Sequence, residues 1–113
     1  MSRPATRRAA DALWRALSDP TRRQILDLLR ARPRTTGELA EAFPTSRFAV
    51  MKHIGVLCDA GLVVSRRRGR ERWNHLNPLP IKTIHDRWIG EYARYAVDKL
   101  AAMKAGLEGP ADR

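Results

Sequence analysis

The pattern of apolar and polar residues over positions 35–63 predicts two short helices joined by a tight turn. Thr35 and Glu38 have the spacing of a capping box, in which each side chain bonds a free backbone N–H at the helix start. Pro44 ends the first helix because proline lacks an amide hydrogen. Ser46 caps the second helix, whose apolar stripe is Val50, Ile54 and Leu57, and Gly61 ends it. This arrangement is typical of a helix-turn-helix, whose second helix enters the major groove of DNA.

Two helices are predicted before this unit and one long helix after it. The first covers roughly residues 9–17, and Asp19-Pro20 is a typical start for the second, which is expected to bury Ile25, Leu28 and Leu29. The last helix is predicted from Pro80 to about Leu107. Its apolar positions form a wide stripe: Ile81, Ile84, Trp88, Ile89, Tyr92, Tyr95, Ala96, Leu100, Met103 and Leu107.

Residues 62–67 and 71–76 read as two strands joined at Arg68-Gly69-Arg70, where glycine reaches a positive φ at little cost. The predicted fold is therefore mainly α with a small β-hairpin: four helices, the hairpin and a fifth helix. This order is a winged helix-turn-helix in which the hairpin is the wing. Residues 1–8 are predicted to form a basic flexible tail, residues 9–108 the DNA-binding and dimerisation domain, and residues 109–113 a C-terminal tail.

Charge narrows the choice of partner. The 113 residues carry a net charge of +10, with 22 Lys and Arg against 12 Asp and Glu, which favours a polyanion. Nucleic acid is the commonest such partner, and a membrane surface is the rival. A single cysteine makes no intramolecular disulfide, and there is neither an apolar run of transmembrane length nor a signal-peptide core. A cytoplasmic location without membrane attachment is therefore expected.

Candidate DNA-binding residues lie opposite the apolar stripe of the second helix and along the wing. They are Ser46, Arg47, Phe48, Met51, Lys52, His53, Arg66, Arg68, Arg70 and Arg72. Basic groups bond guanine or phosphate, and apolar side chains such as Phe48 and Met51 meet thymine methyl groups. Phe48 packing on the preceding helix is the alternative for that residue. His53 is either a packing residue or a phosphate donor, and the wing arginines contact the DNA backbone or minor groove unless they only solvate the hairpin.

Other polar and reactive residues have plainer explanations. Arg22 and Arg23 either pair with Asp19 and Asp27 or stay exposed, with a phosphate contact as the alternative. Cys58 borders the core stripe and is interpreted as a small hydrophobe, with a redox switch as the alternative. Trp73 is interpreted as a packing residue rather than a base-stacking one. No Gly-rich phosphate loop, cysteine–histidine dyad or apolar pair of carboxylates indicates an enzyme.

The first and last helices carry more apolar surface than a small core can cover, so a second copy of the chain is expected to cover it. The predicted dimer interface is Leu13, Trp14, Leu17, Trp88, Ile89, Tyr92, Tyr95, Ala96, Leu100 and Met103.

Three motifs resemble the ArsR family of small bacterial winged-helix repressors: LWRALSDPTRRQILDLLR, SRFAVMKHIGVLCDAGLV and RRRGRERWNHLNP. The resemblance covers roughly residues 13–95. It implies a homodimer, joined through the first and last helices, that blocks transcription from a palindromic operator of double-stranded DNA. The wing and PIKTIHDRWI are similar to a branch encoded beside helix-grip ligand-binding proteins.

The chain departs from the metal-sensing members of that family. Residues 35–43 contain no cysteine pair, and no second histidine follows His85, Asp86 and Glu91 on the last helix. Neither a metal site nor another cofactor is therefore expected. Two alternatives stay open: a metal- or partner-responsive sensor with a possible protein partner, and a non-specific basic nucleic-acid-binding protein.

Overall fold

A computed structural model describes the backbone of residues 3–108 and the side chains of residues 8–107. Its elements are α1 (Arg3–Leu17), α2 (Pro20–Ala31), β1 (Arg34–Thr35), α3 (Thr36–Glu41), α4 (Arg47–Asp59), β2 (Val63–Arg68), β3 (Glu71–Leu76), α5 (Leu79–Ile84), a π-helical turn (His85–Ile89) and α6 (Gly90–Glu108). They divide into two units, Met1–Ile81 and Lys82–Arg113. None of the described helices is long and apolar enough to cross a membrane.

Helix α1 begins at Arg3, six residues before the predicted start at Ala9. The boundary was misplaced because Pro4 was interpreted as a helix breaker. Proline is tolerated in a first turn, where its missing N–H has no intrahelical partner to lose. The predicted C-terminal tail, residues 109–113, lies outside the described residues, as do Met1 and Ser2.

The first unit has one hydrophobic core to which α1, α2, α3, α4 and β2 all contribute. Its buried apolar residues are Leu13, Ala16, Ile25, Leu26, Leu29, Leu39, Val50, Ile54, Leu57, Leu62 and Val63. The predicted stripe of the second helix-turn-helix helix is confirmed as buried. On α2, Ile25 and Leu29 are buried as predicted, but Leu28 is only half-buried. The side of α2 that packs in the core includes Leu26 in place of Leu28.

Arginines at the start of α2 cap the end of α1. The Arg22 side chain donates to the carbonyl oxygens of Arg15 and Ala16, each at 2.9 Å, and Arg23 donates to Leu17 at 2.7 Å. These carbonyls have no partner within their own helix. No ion pair with Asp27 is seen among the described residues, and Arg23 is exposed, as one alternative predicted, while it also caps α1. Asp19 caps α2 as expected by accepting from the Arg22 amide at 3.1 Å.

The helix-turn-helix has the predicted caps. Thr35 and Glu38 form the capping box of α3, and Ser46 caps α4 by accepting from the Ala49 amide at 3.1 Å. At the end of α4, Gly61 has a φ of +76°, a conformation that favours glycine. The Leu62 amide donates to Leu57 and the Gly61 amide to Cys58, which is the Schellman pattern of helix termination.

The wing belongs to a three-stranded antiparallel sheet in the order β1-β3-β2. The hairpin link is Gly69-Arg70, with Gly69 at a φ of +65° in the first position of the turn. Strand β1 was not predicted, because two residues are too short to show alternation. It places Arg34 opposite Asn74 and Thr35 opposite Trp73, and so attaches the start of α3 to the wing.

Asn74 links the wing to the helix-turn-helix from a fully buried position. Its amide nitrogen donates to the Arg34 carbonyl at 3.2 Å and to the Thr36 hydroxyl at 3.1 Å. Its amide oxygen accepts from the Ser65 hydroxyl, which in turn lies 3.5 Å from the Cys58 sulfur on α4. This Asn74 network satisfies its buried polar atoms and joins β1, β2, β3, α3 and α4.

The predicted continuous last helix is interrupted by the π-helical turn. The Gly90 amide donates to the His85 carbonyl five residues earlier. A β-carbon at Gly90 would lie 3.0 Å from that oxygen, so glycine gives the turn its room. Because the apolar stripe continues through this turn, the hydrophobic periodicity of the sequence did not predict the π-helical turn.

Asn74→Ala should destabilise the protein by about 2–3 kcal/mol, because it leaves buried or partly buried donors and acceptors of three neighbours without their partner. Urea unfolding followed by circular dichroism measures this. Glu71→Gln, on the exposed part of the same strand, is the matched control and should change stability by less than about 0.5 kcal/mol. Equal effects of the two substitutions would mean that the network does not stabilise the fold.

Glu38 should make stability depend on pH. The Arg32 guanidinium, together with the Thr35 amide, lowers the pKa of the Glu38 carboxyl from 4.5 to about 2. Because the folded pKa lies below the ordinary value, the stabilisation is complete above that value and is lost as the pH falls.

Between about pH 5 and about pH 2, wild type should therefore lose more of its urea midpoint than Glu38→Gln does. Glu41→Gln, on the exposed end of α3, is the control and should behave as wild type. Parallel acid profiles of wild type and Glu38→Gln would show that the bond to Arg32 contributes nothing.

Candidate nucleic-acid interface

The outward face of α4 carries side chains that the sequence predicts to contact DNA. Arg47 and Lys52 are exposed, and Phe48 and Met51 are 70% and 50% exposed. Phe48 therefore does not pack on the preceding helix. The Lys52 ammonium lies 5.6 Å from the centre of the Phe48 ring, within cation–π distance. Two large apolar groups and two cations thus project from the first two turns of a helix whose back is in the core.

His53 lies at the edge of this face and is half-buried. Its Nδ1 lies 3.2 Å from the Arg22 guanidinium and 3.9 Å from an Asp19 carboxylate oxygen. Because a guanidinium only donates, Nδ1 accepts in the contact with Arg22. This contact joins α4 to α2, in agreement with the packing role, and the phosphate contact of His53 stays a prediction.

A groove of about 280 Å³ lies between the start of α4, the start of α3 and the wing. We call it the inner groove, and its lining residues are Thr35, Thr36, Gly37, Arg47, Met51, Arg70, Glu71 and Arg72. Three arginines from two separate parts of the chain thus surround one concave surface. None of the three side chains has a hydrogen bond or ion pair to a described residue, so their guanidinium groups are available to an anion.

The structure does not bring all four predicted wing arginines to this groove. Side chains alternate across a sheet, and Ser65 and Asn74 are on the core side. Arg66 pairs with Trp73 in the register of the hairpin and so lies on the opposite face, where Arg68 follows it. Arg70 and Arg72 line the inner groove, whereas Arg66 and Arg68 line a separate cavity on the other side.

Sequence reasoning missed several lining residues. Arg67 lines the second cavity together with Arg32, Pro33 and His75. Alternation along the hairpin separates Arg66 and Arg68 from Arg72, but it puts Arg67 on the face of Arg72, so it does not predict that Arg67 lines this cavity. Arg32 and Pro33 come from the loop before β1, whose pairing with β3 gave no sequence pattern.

Most residues of the predicted dimer interface are exposed in the single chain. Trp14 is 49% exposed on α1, and on the last helix the exposure runs from 48% at Ile89 to 72% at Tyr92. Leu17 is half-buried. The prediction that Leu13 belongs to the dimer interface is wrong. Leu13 is 2% exposed because it packs in the core of its own chain, so it has no surface to offer a partner.

In the described part of the chain, no three His, Cys, Asp or Glu side chains come together at the reach of a metal ion. Asp86 accepts from Lys82 at 2.7 Å and lies 3.5 Å from the His85 ring. The Lys82 hydrogen bond, followed by that of His85, lowers the pKa of the Asp86 carboxyl. The absence of a metal requirement stays a prediction.

An exposed helix face beside a basic hairpin defines a winged helix-turn-helix protein of the DNA-binding class. A family model described as a helix-turn-helix domain matches residues 17–66. The HTH-type transcriptional regulator Rv2034 of Mycobacterium tuberculosis is 41% identical over 96 residues, which are 81% of this chain and 90% of that protein. The transcriptional repressor SdpR of Bacillus subtilis is 38% identical over 65 residues, which are 58% of this chain and 72% of that protein.

Among solved structures, the ArsR family transcriptional regulator RHA00566 is 32% identical, with a TM-score of 0.71, over 78% of this chain and 90% of that one. The chain belongs to the ArsR family of winged helix-turn-helix transcriptional regulators. The resemblance predicted from the three motifs is confirmed, as is the winged-helix fold class. The family consists of DNA-binding regulators, in agreement with the prediction that the chain is not an enzyme.

Neutralising Arg70 and Arg72 together as Arg→Gln should weaken binding to any duplex, because both line the inner groove, where we expect them to contact phosphate. The slope of log affinity against log salt should become shallower by about 0.9 for each phosphate that the double variant no longer neutralises, measured by fluorescence anisotropy. Arg30→Gln combined with Lys104→Gln, at two exposed positions that do not line the inner groove, removes the same charge and is the control. An unchanged slope in the Arg70 and Arg72 variant would remove the wing tip from the DNA contacts.

Proposed function

We propose that the protein is a dimeric, sequence-specific, double-stranded DNA-binding repressor of its own or a neighbouring operon. The observation that carries the proposal is the inner groove, in which Arg47 and Met51 of α4 and Arg70 and Arg72 of the wing face one concave surface. A helix for the major groove and a hairpin for the adjoining backbone are the two contacts of this class. Repression is supported by the relative SdpR, which is a transcriptional repressor.

Sequence specificity is supported by the exposed apolar groups of α4. A purely electrostatic binder needs only cations, whereas Phe48 and Met51 expose apolar surface at the end of the helix that meets base edges. Met51 lines the inner groove together with Arg47, Arg70 and Arg72, so an apolar side chain lies beside the guanidinium groups that we expect to contact phosphate. An apolar side chain held there discriminates a thymine methyl group from its absence.

Dimerisation is supported by the last helix taken by itself. Every described side chain from Glu91 to Leu107 is exposed in the single chain, although many are large and apolar. Those that are at least 60% exposed are Tyr92, Tyr95, Val97, Leu100, Met103 and Leu107. An apolar surface of this extent on a helix is typical of an oligomer interface.

A competition shift assay tests the proposal. The labelled duplex is one enriched from a random pool by the protein, and the competitors are the same unlabelled duplex and a scrambled duplex of equal composition. The enriched sequence should be a near-palindrome with half-sites about one helical turn apart, and it should compete at least about a thousandfold better than the scrambled one. Equal competition would identify a non-specific basic protein instead.

Met51→Ala should relax the preference at one symmetric pair of thymines by about 1 kcal/mol and leave random-duplex affinity unchanged. The direct measurement is wild-type affinity for operators in which single thymines are replaced by uracil, which lacks only the methyl group. One symmetric pair of uracils should weaken wild type and have no effect on Met51→Ala. If wild type binds every uracil operator as tightly as the original, Met51 does not read thymine.

Replacing Trp88 and Tyr92 together with glutamine should give monomers and abolish tight operator binding, because a palindrome is read by two helices at once. Analytical ultracentrifugation gives the oligomeric state, and circular dichroism checks that the monomer is folded. Lys104→Gln, exposed on the same helix, is the control and should stay dimeric. A double variant that is still a dimer with normal operator affinity would place the interface elsewhere.

A further inference from the structure

A second cavity, of about 600 Å³, lies beside the wing, and most of the strand residues that line it belong to the face of the sheet opposite to the core. We call it the outer wing cavity, and its lining residues are Arg32, Pro33, Arg66, Arg67, Arg68, Trp73 and His75. It is separate from the inner groove, with which it shares no lining residue. Its volume lies within the range of small-molecule sites in proteins, roughly 300–1,000 Å³.

The charge of this cavity is not neutralised by the chain itself. The side chains of Arg66, Arg67 and Arg68 have neither a hydrogen bond nor an ion pair to any described residue. Arg32 differs, because it donates to Glu38 and to the Pro33 carbonyl, each at 2.9 Å, and so forms a fixed wall. The nearest acid in the register is Glu71, opposite Arg68, and it lines the inner groove. Neither Arg66 nor Arg67 has an acid opposite it in the register, and Arg66 is the one that lies across from Trp73.

The aromatic part of the cavity is Trp73. It is half-buried in the central strand, directly across from Arg66 on β2, and His75 is the next residue of its strand on the same face. A half-buried indole offers a flat apolar surface, and a guanidinium binds a carboxylate or phosphate through two parallel hydrogen bonds. The indole and the guanidinium can therefore bind the aromatic ring and the anionic group of one small molecule.

We propose that the outer wing cavity binds a small organic anion with an aromatic ring, the ring against Trp73 and the carboxylate or phosphate against Arg66 and Arg68. This goes beyond the proposed DNA-binding function, because the inner groove lies on the other face of the sheet. Two classes of molecule combine an aromatic ring with an anionic group, aromatic carboxylates and nucleotides, and the experiment distinguishes between them.

The experiment uses salicylate and adenosine monophosphate as probes. Adenosine, which lacks the charge, and inorganic phosphate, which lacks the ring, are the controls. Nuclear magnetic resonance of the full-length protein follows the indole N–H signals of Trp14, Trp73 and Trp88, and calorimetry gives the affinity. At least one probe should shift the Trp73 signal and leave the other two in place, and its matched control should bind at least about tenfold more weakly. Which probe binds more tightly identifies the source.

Arg66→Gln should weaken that binding about tenfold or more, while Arg72→Gln, which does not line this cavity, should leave it unchanged. Both side chains are exposed, so neither substitution removes a core contact. The proposal is overturned if neither probe shifts Trp73 at millimolar concentration, if adenosine binds as tightly as its monophosphate and salicylate does not bind, or if Arg66→Gln binds as wild type does.

Discussion

The Asn74 network is the interaction on which the geometry of the interface depends. A wing is a hairpin with few apolar contacts of its own, and by itself such a hairpin is only marginally stable. Here a buried amide bonds Thr36 and the Arg34 carbonyl on one side and Ser65 on the other. The hairpin is therefore held at a fixed place relative to α3 and α4. Because buried polar groups are costly when unpaired, alternative positions of the wing are disfavoured.

This fixed placement gives the two faces of the wing different chemistry. The inner face joins Arg70 and Arg72 to the exposed start of α4, which suits a duplex read by helix and hairpin together. The outer face joins unpaired arginines to a half-buried tryptophan and suits a small aromatic anion. Strand alternation and the hairpin register place Arg66, Arg68 and Trp73 on one face and Arg72 on the other. Two residues depart from this rule, because Arg67 lines the outer wing cavity and Glu71 lines the inner groove.

Local signals in the sequence predicted much of the fold and part of the site. The caps at Thr35, Ser46 and Asp19 were predictable because each rests on residues a few positions apart. What depends on distant contacts was not predicted. Three such features were missed: the pairing of β1 with β3, the capping of α1 by Arg22 and the burial of Leu13. Each depends on contacts between residues that no local sequence pattern relates. The π-helical turn was missed because its hydrogen-bond shift leaves the apolar stripe intact.

The central claim is that the start of α4 and the inner face of the wing contact the same duplex. Nuclear magnetic resonance mapping of backbone amides during titration with an enriched duplex tests it most directly. The account predicts that the largest shifts fall on residues 46–52 and 69–72 together, at the same DNA concentration. Shifts confined to α6 or to the outer face of the wing, around Trp73 and His75, would contradict it.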